Sequence, residues 1–487
     1  MGRIQLLGLI AASVSAVRVQ LPFDYGWQFH LGDPEGAQPP LTAASVDQSF
    51  SRNISNHTCS NMAYAARRPV LEDCRGICAT TPGCLAWQYG THYDVNSGAS
   101  FNSCFIHDPS LGDTPVCTPG LADNSSSLLG ESRSAEPPPL QQRAGVAFKE
   151  SAFDDSGWET VNAPHDFIVR GAYDQAAALK HGYLPRNVSA WYRKPFRAPA
   201  AWAGGATWLH FEGAFQVCDV FLNGVWIVRH RAGYLGFDVR LDNVSPGLLR
   251  TGSAAAAAPN VLAVRVDASF GSGHWYEGGG LTRRVHLLHT PTTLRFATGG
   301  LFSQTEASSV PTTGVNATVA PTAEVVADVS ASVSVCYAVV DRTTDSAVAR
   351  ACTPVRHIAP QQPASSARAT VVGGATLVVA AAQLWSVRAP SLYTLTAALV
   401  DAKTNTTVDA VNTTIGLRHI DWQAEGGGFA LNGEPVQLRG FSHHEDFGGV
   451  GVAVPDRLNL FRANALRSLG GNIWRTSHNP YTPPLYV

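Results

Sequence analysis

The last fifty residues constrain this chain most, because there the hydrophobic period switches from two to about 3.6 and back again. Val436, Leu438 and Phe441 predict one short apolar strand and Ile473 with Trp474 another. Between them, Leu458, Phe461, Ala465 and Leu469 fall on one stripe of a helix running from Asp456 to Leu469. A crossover helix returns the chain to the same end of the sheet, so the two strands are predicted to be parallel. Both then end in polar clusters on one edge: Ser442, His443, His444 and Glu445 after the first, and Ser477, His478 and Asn479 after the second. In a β/α barrel, that edge carries the chemistry. Adjacent residues at a strand end point to opposite sides, so the run from His443 to Asp446 cannot close around one ion, and it lacks His-Glu-x-x-His spacing. No metal site is read from it, and His443 is the histidine assigned to packing. Gly449-Val450-Gly451 is a fragment of a dinucleotide fingerprint without its βαβ context, so no cofactor is read from it either.

Upstream the pattern is all-β. Trp208 to Gly213 leads into Cys218 to Trp226, where Asn223-Gly224 between alternating apolar residues predicts a hairpin. Asn260 to Val266 is a further strand, and Trp275 to Arg283 closes a sandwich of jelly-roll type. Residues 291–420, rich in Ala, Val and Thr, alternate as a second sandwich. Only 15% of the residues are charged and the net charge is −2. Lysines and arginines are few and unclustered, which argues against a nucleic-acid surface and suits a neutral ligand.

Met1-Gly2-Arg3, the apolar run Ile4 to Val14 and the small residues Val14-Ser15-Ala16 predict a signal peptide over 1–16. No other stretch reaches membrane-spanning length. Eight sequons, at Asn53, Asn56, Asn124, Asn187, Asn243, Asn316, Asn405 and Asn412, fit the secretory route. The expectation is a secreted or lumenal protein: extracellular, lysosomal or vacuole-like. Cys59, Cys74, Cys78, Cys84, Cys104 and Cys117 share one window, where three disulfides have fifteen connectivities open to them. Cys336 and Cys352 flank a turn-like segment, Asp341 to Asp345, and can bridge across the hairpin; Cys218 is left as a buried thiol.

Gly433-Glu434-Pro435, Leu438-Arg439-Gly440, His443-His444 and Arg475-Thr476-Ser477-His478-Asn479-Pro480 resemble the opening of the catalytic barrel of glycoside hydrolase family 2, most closely its β-galactosidase branch. Pro164-His165-Asp166, Trp191-Tyr192-Arg193, Asn223-Gly224 and Gly278 to Arg283 are similar, in order, to the family's sugar-binding domain. Leu384-Trp385-Ser386, Pro390 to Leu395 and Ile415 to Arg418 resemble its immunoglobulin-like domain. The resemblance implies a multidomain, mainly β chain. Its parts would be a signal peptide (1–16), a discontinuous jelly-roll sugar-binding domain (17–50 and 147–290), a cysteine-rich insert (51–117), a flexible linker (118–146), an immunoglobulin-like sandwich (291–420) and the first strands of a TIM (β/α)8 barrel (421–487). The insert's cysteine order and its aromatic strand Leu85 to Tyr89 resemble a PAN/apple module, with a helix over Val70 to Thr80 and a glycan or protein ligand left open.

By the same resemblance His444, His478, Asn479 and Arg475 line a sugar pocket, with His274, Trp275 and Tyr276 at its rim and the Asn187 sequon near its entrance. For those three rim residues, packing of the domain seam is the competing expectation. The implied reaction is hydrolysis of terminal β-D-galactosyl residues by two glutamates at retaining separation. Both glutamates come later in the family's barrel than Val487, so the chain is expected to be a front part, inactive alone. β-Glucuronidase, β-mannosidase and a non-catalytic carbohydrate-binding protein are the alternatives. A metal ion in the whole enzyme and a homo-oligomer are left open.

Overall fold

In the computed structural model the described residues are 18–33, 62–67, 86–94, 99–107, 128–131 and 147–483, without 178–180, 186–187, 270–274, 308–314, 362–368 and 424–427. The signal peptide, the Val70 to Thr80 helix, His274, the sequons at Asn53, Asn56, Asn124 and Asn187, and Cys59, Cys74, Cys78, Cys84 and Cys117 lie outside the described residues. Of Cys104 only the backbone is described.

The first sandwich faces two antiparallel sheets. One runs Val19–Pro22, Val285–Thr290, Ala206–Phe211, Phe237–Arg240; the other runs Val225–His230, Val217–Leu222, Asn260–Asp267, Ser189–Phe196, Trp27–Leu31, Glu159–Val161. Their inner faces bury Trp27, Tyr192, Leu209, Phe211, Val220, Val264 and Leu281 in one core. Alternation sends Trp191 and Arg193 to the other face of Ser189–Phe196, and neither is left open there. The segment after residue 147 lays Phe148, Phe153 and Trp158 over Trp191. The Arg193 guanidinium pins that segment through the Phe148 and Glu150 carbonyls and the Asp155 carboxylate. The Asn223-Gly224 turn has both residues at positive φ, 51° and 85°, which matches the twist of the flanking strands.

In the second sandwich, Arg295–Ala307, Ala317–Val326 and Thr370–Val372 pack on Ser346–Cys352, Ala331–Asp341, Tyr393–Asp401 and Thr406–Ile415. Residue by residue, Ala317–Val326 alternates between buried and open positions, as a strand with one wet face must. Cys336 stands opposite Cys352 in register, and a disulfide joins them.

Two expectations need correction. Leu128–Glu131, placed in the flexible linker, pairs antiparallel with Ala86–Asp94 as the edge of a four-strand sheet that also contains Ala99–His107 and Met62–Arg67. Pairing with an existing edge, rather than Ser/Pro/Gln composition, decides such a segment. The second concerns the C-terminal unit. Gly440–Ser442 and Ile473–Arg475 are parallel, Gly440 opposite Ile473 and Ser442 opposite Arg475, so Val436 and Leu438 precede the strand. Gly440 is required there, since a Cβ would come within 1.8 Å of the Ile473 carbonyl oxygen. The helix spans Asp456–Ser468, but it buries Asn459 and Leu466, and Phe461 and Leu469 of the expected stripe are exposed. Arg462 decides the face: its guanidinium donates to the His444 and Asp446 carbonyls and lies 5.0 Å from the Phe447 ring.

Candidate sugar-binding site

The parallel pair brings its two polar ends together. Ser442 Oγ and Ser477 Oγ are 2.9 Å apart, Ser477 Oγ donates to the His443 carbonyl at 2.5 Å, and Arg475 Nη1 donates to Ser442 Oγ at 2.9 Å. Ser477 takes a left-handed φ of 58°, which turns the chain just before His478. The His444 and His478 rings then lie 5.4 Å apart. Trp275, from the last loop of the first sandwich, lies tilted against both, with centroids at 5.0 and 4.9 Å. Its Nε1 donates to Tyr234 Oη at 2.9 Å, which fixes the indole plane.

His443 points elsewhere, stacked 4.0 Å from Trp474, and its Nε2 is buried without a hydrogen-bond partner among the described residues. Tyr276, expected at the rim, instead gives its hydroxyl to Asp166 at 2.9 Å and belongs to the seam.

Burial holds the His444 imidazole below its ordinary pKa, and the His478 and Arg475 charges push the same way against Asp446. Burial and then Arg462 lower His443 as well. A neutral imidazole offers one donor and one acceptor, the pair a sugar hydroxyl requires. His444 Nδ1 and Asn479 Oδ1 are both turned inward without a hydrogen-bond partner among the described residues. Such atoms cost stability unless a ligand or water satisfies them. Among the described residues no three His, Cys, Asp or Glu side chains converge as a metal would require.

Three groups that hold this arrangement were not singled out as site residues. Glu445, between the two strand ends, is buried, and burial raises its pKa despite the Arg283 charge. It accepts from Arg283 Nη2 at 2.6 Å and from the Thr482 amide at 2.7 Å. Asp166 is buried as well, and burial raises it although it accepts from the amides of Ile168, Gly279 and Val452 and from Tyr276. Asp166 and Arg283 both stand in motifs singled out above. Their partners on other segments, such as Val452 for Asp166 and Glu445 for Arg283, stand far away in sequence and carry no local signal. Glu445 and Asp166 are therefore occupied in holding loops, and Asp446 is the carboxylate whose charge acts on the His444 imidazole.

Comparison with known proteins bears on this geometry. Residues 302–418 match the model for glycosyl hydrolases family 2. The likeness is to a family of glycosidases. β-Galactosidase BoGH2A of Bacteroides ovatus is 31% identical over 346 residues, covering 70% of this chain and 38% of that protein. A β-glucuronidase of Formosa agariphila is 26% identical over 361 residues, covering 68% and 34%. Among solved structures, a β-glycosidase from Bacteroides vulgatus superposes with a TM-score of 0.58 at 27% identity, covering 70% of this chain and 40% of that one. The multidomain, mainly β fold is thus similar to that of family 2 structures. The chain spans 38% or less of the length of these curated relatives. No helix among the described residues is long and apolar enough to cross a membrane.

Proposed function

We propose that Trp275, His444 and His478 form the surface that binds the sugar ring of a β-galactoside, and that this chain supplies part of a secreted, retaining family 2 β-galactosidase. The observation that carries the reading is the triangle of Trp275, His444 and His478, an aromatic face meeting two imidazoles. Aromatic faces take the apolar side of a pyranose, and imidazoles take its hydroxyls. The paired strand ends place the two imidazoles, and Tyr234 fixes the indole that a loop of the first sandwich supplies. In a retaining mechanism one glutamate protonates the leaving oxygen and then activates water, and a second forms the glycosyl-enzyme. Glu445 is paired with Arg283 and Asp166 is enclosed by amides, so neither is free for either role. We therefore expect the 487-residue chain to bind D-galactose but to release no phenol from an aryl β-galactoside. Turnover by the purified chain would contradict this.

A second reading, β-glucuronidase, is favoured by the exposed Arg475, whose guanidinium donates to Ser442 Oγ and presents a cation to a sugar carboxylate. Binding of D-galactose against D-glucuronate, measured calorimetrically on the chain and on Arg475→Gln, separates the two. The galactoside reading predicts tighter D-galactose binding and little change in the variant; tighter D-glucuronate binding that is lost in the variant supports the other.

We place the protein in the secretory route. Asn316, Asn405 and Asn412 are exposed and the Cys336–Cys352 disulfide suits an oxidising compartment. A mass unchanged by enzymatic deglycosylation of secreted material would count against that placement. The insert we read as a separate disulfide-stapled module resembling PAN/apple, so deleting it together with its edge strand, residues 51–131, should leave D-galactose affinity unchanged.

A further inference from the structure

Arg283 lies outside the ring cluster yet reaches every segment that carries it. Its Nη2 donates both to Glu445 Oε2 at 2.6 Å and to the Pro480 carbonyl at 2.5 Å, and its Nη1 donates to the Tyr234 carbonyl at 3.0 Å. Glu445 directly follows His444, and Pro480 stands two residues after His478. Tyr234 receives the Trp275 indole N–H. One nitrogen thus holds the ends of both parallel strands, and the same guanidinium holds the residue that orients the indole. Both partners of the ion pair are only 7% exposed at the side chain, so water does not compete for these bonds. The stem of Arg283 is walled in as well. A Cβ at Gly213 would stand 2.9 Å from Arg283 Cδ and 3.2 Å from the Gly233 carbonyl.

We propose that Arg283 is a positioning residue: one guanidinium from the first sandwich sets the spacing of Trp275, His444 and His478. The proposal rests on the sugar-site reading only for what that spacing serves. A purely structural clamp would lower stability when lost and leave the rings in place. A positioning residue must release both imidazoles from Trp275 together. Lysine keeps the charge but not the planar fork, so Arg283→Lys cannot reproduce two strand ends and Tyr234 on one group. Gly213→Ala keeps every functional group and presses chiefly on the stem, with the Gly233 carbonyl at the edge of contact.

The test is NMR of the histidine-labelled 487-residue protein, with His444 and His478 assigned from Gln variants. The Trp275 ring-current shift on each is defined by Trp275→Phe. The expected result is that both imidazoles lose that shift together in Arg283→Lys and Gly213→Ala at temperatures where the proteins remain folded, and that D-galactose affinity falls about tenfold. If Arg283→Lys does not fold, Gly213→Ala decides. Unchanged shifts on both rings, with only a lower unfolding midpoint, would overturn the proposal. Wild-type protein that shows no D-galactose binding would count against the sugar reading, while the ring shifts would still decide the role of Arg283.

Discussion

Burial, reinforced by Arg170 and opposed by Glu159, holds the His165 imidazole down to about 4, while its Nδ1 shares a 2.9 Å hydrogen bond with the Tyr192 hydroxyl. The folded state therefore binds fewer protons than the unfolded chain between roughly pH 6.5 and pH 4. Stability is fully present above that window and falls as pH drops through it, by about 3 kcal/mol at one pKa unit per ~1.4 kcal/mol. Asp166, raised by burial, runs the other way: its contribution falls as pH rises through its elevated pKa. The difference between wild type and His165→Phe isolates the histidine. Urea unfolding at pH 7 and pH 4.5 should show a smaller loss on acidification in the variant; equal losses would refute the assignment. In the site, Trp275→Ala should weaken D-galactose binding by about 1–2 kcal/mol, as removal of a partly buried aromatic platform does. Calorimetry on the two proteins checks it.

The helix Asp456–Ser468 shows what a hydrophobic pattern determines and what it does not. Its existence and length were legible in the spacing of Leu458, Phe461, Ala465 and Leu469. The buried face was not, because it is chosen by Arg462 reaching two strand-end carbonyls and by Leu466, against whose side chain Gly471 closes. Leu466→Ala should cost about 2–4 kcal/mol, whereas Phe461→Ser, on the open face, should stay within about 0.5 kcal/mol. Denaturant midpoints of the two variants test this, and the reverse order would mean the helix presents its other side. The parallel pairing of Gly440–Ser442 with Ile473–Arg475 was legible because a crossover of this length permits little else. The Leu128–Glu131 edge strand was not legible, since its partner strand lies forty residues away.

Across the whole molecule, the two sandwiches are joined by charged pairs that local patterns could not announce. Arg18, beside the first strand, donates Nε and Nη2 to Asp409 of the second sandwich, and its guanidinium lies over Trp208. Asp409 is fully buried and also accepts from the amides of Phe296 and Ala410. Arg240 bridges the same seam to Asp328, and Trp208 Nε1 reaches Thr298. Arg18→Met leaves the Asp409 charge buried without its cation and should cost about 3–5 kcal/mol, read by chemical unfolding. A loss below about 1 kcal/mol would place that seam among weak surface pairs. The strands of each sandwich were readable because they and their turns are local in sequence. The seams between them were not, since their partners stand hundreds of residues apart.

The most direct test of the sugar site is calorimetric titration of D-galactose into the 487-residue protein and into His478→Ala, with unfolding midpoints measured alongside. The account predicts measurable binding by the first, at least tenfold weaker binding by the second, and the same midpoint for both. Equal affinity in the two proteins would contradict it.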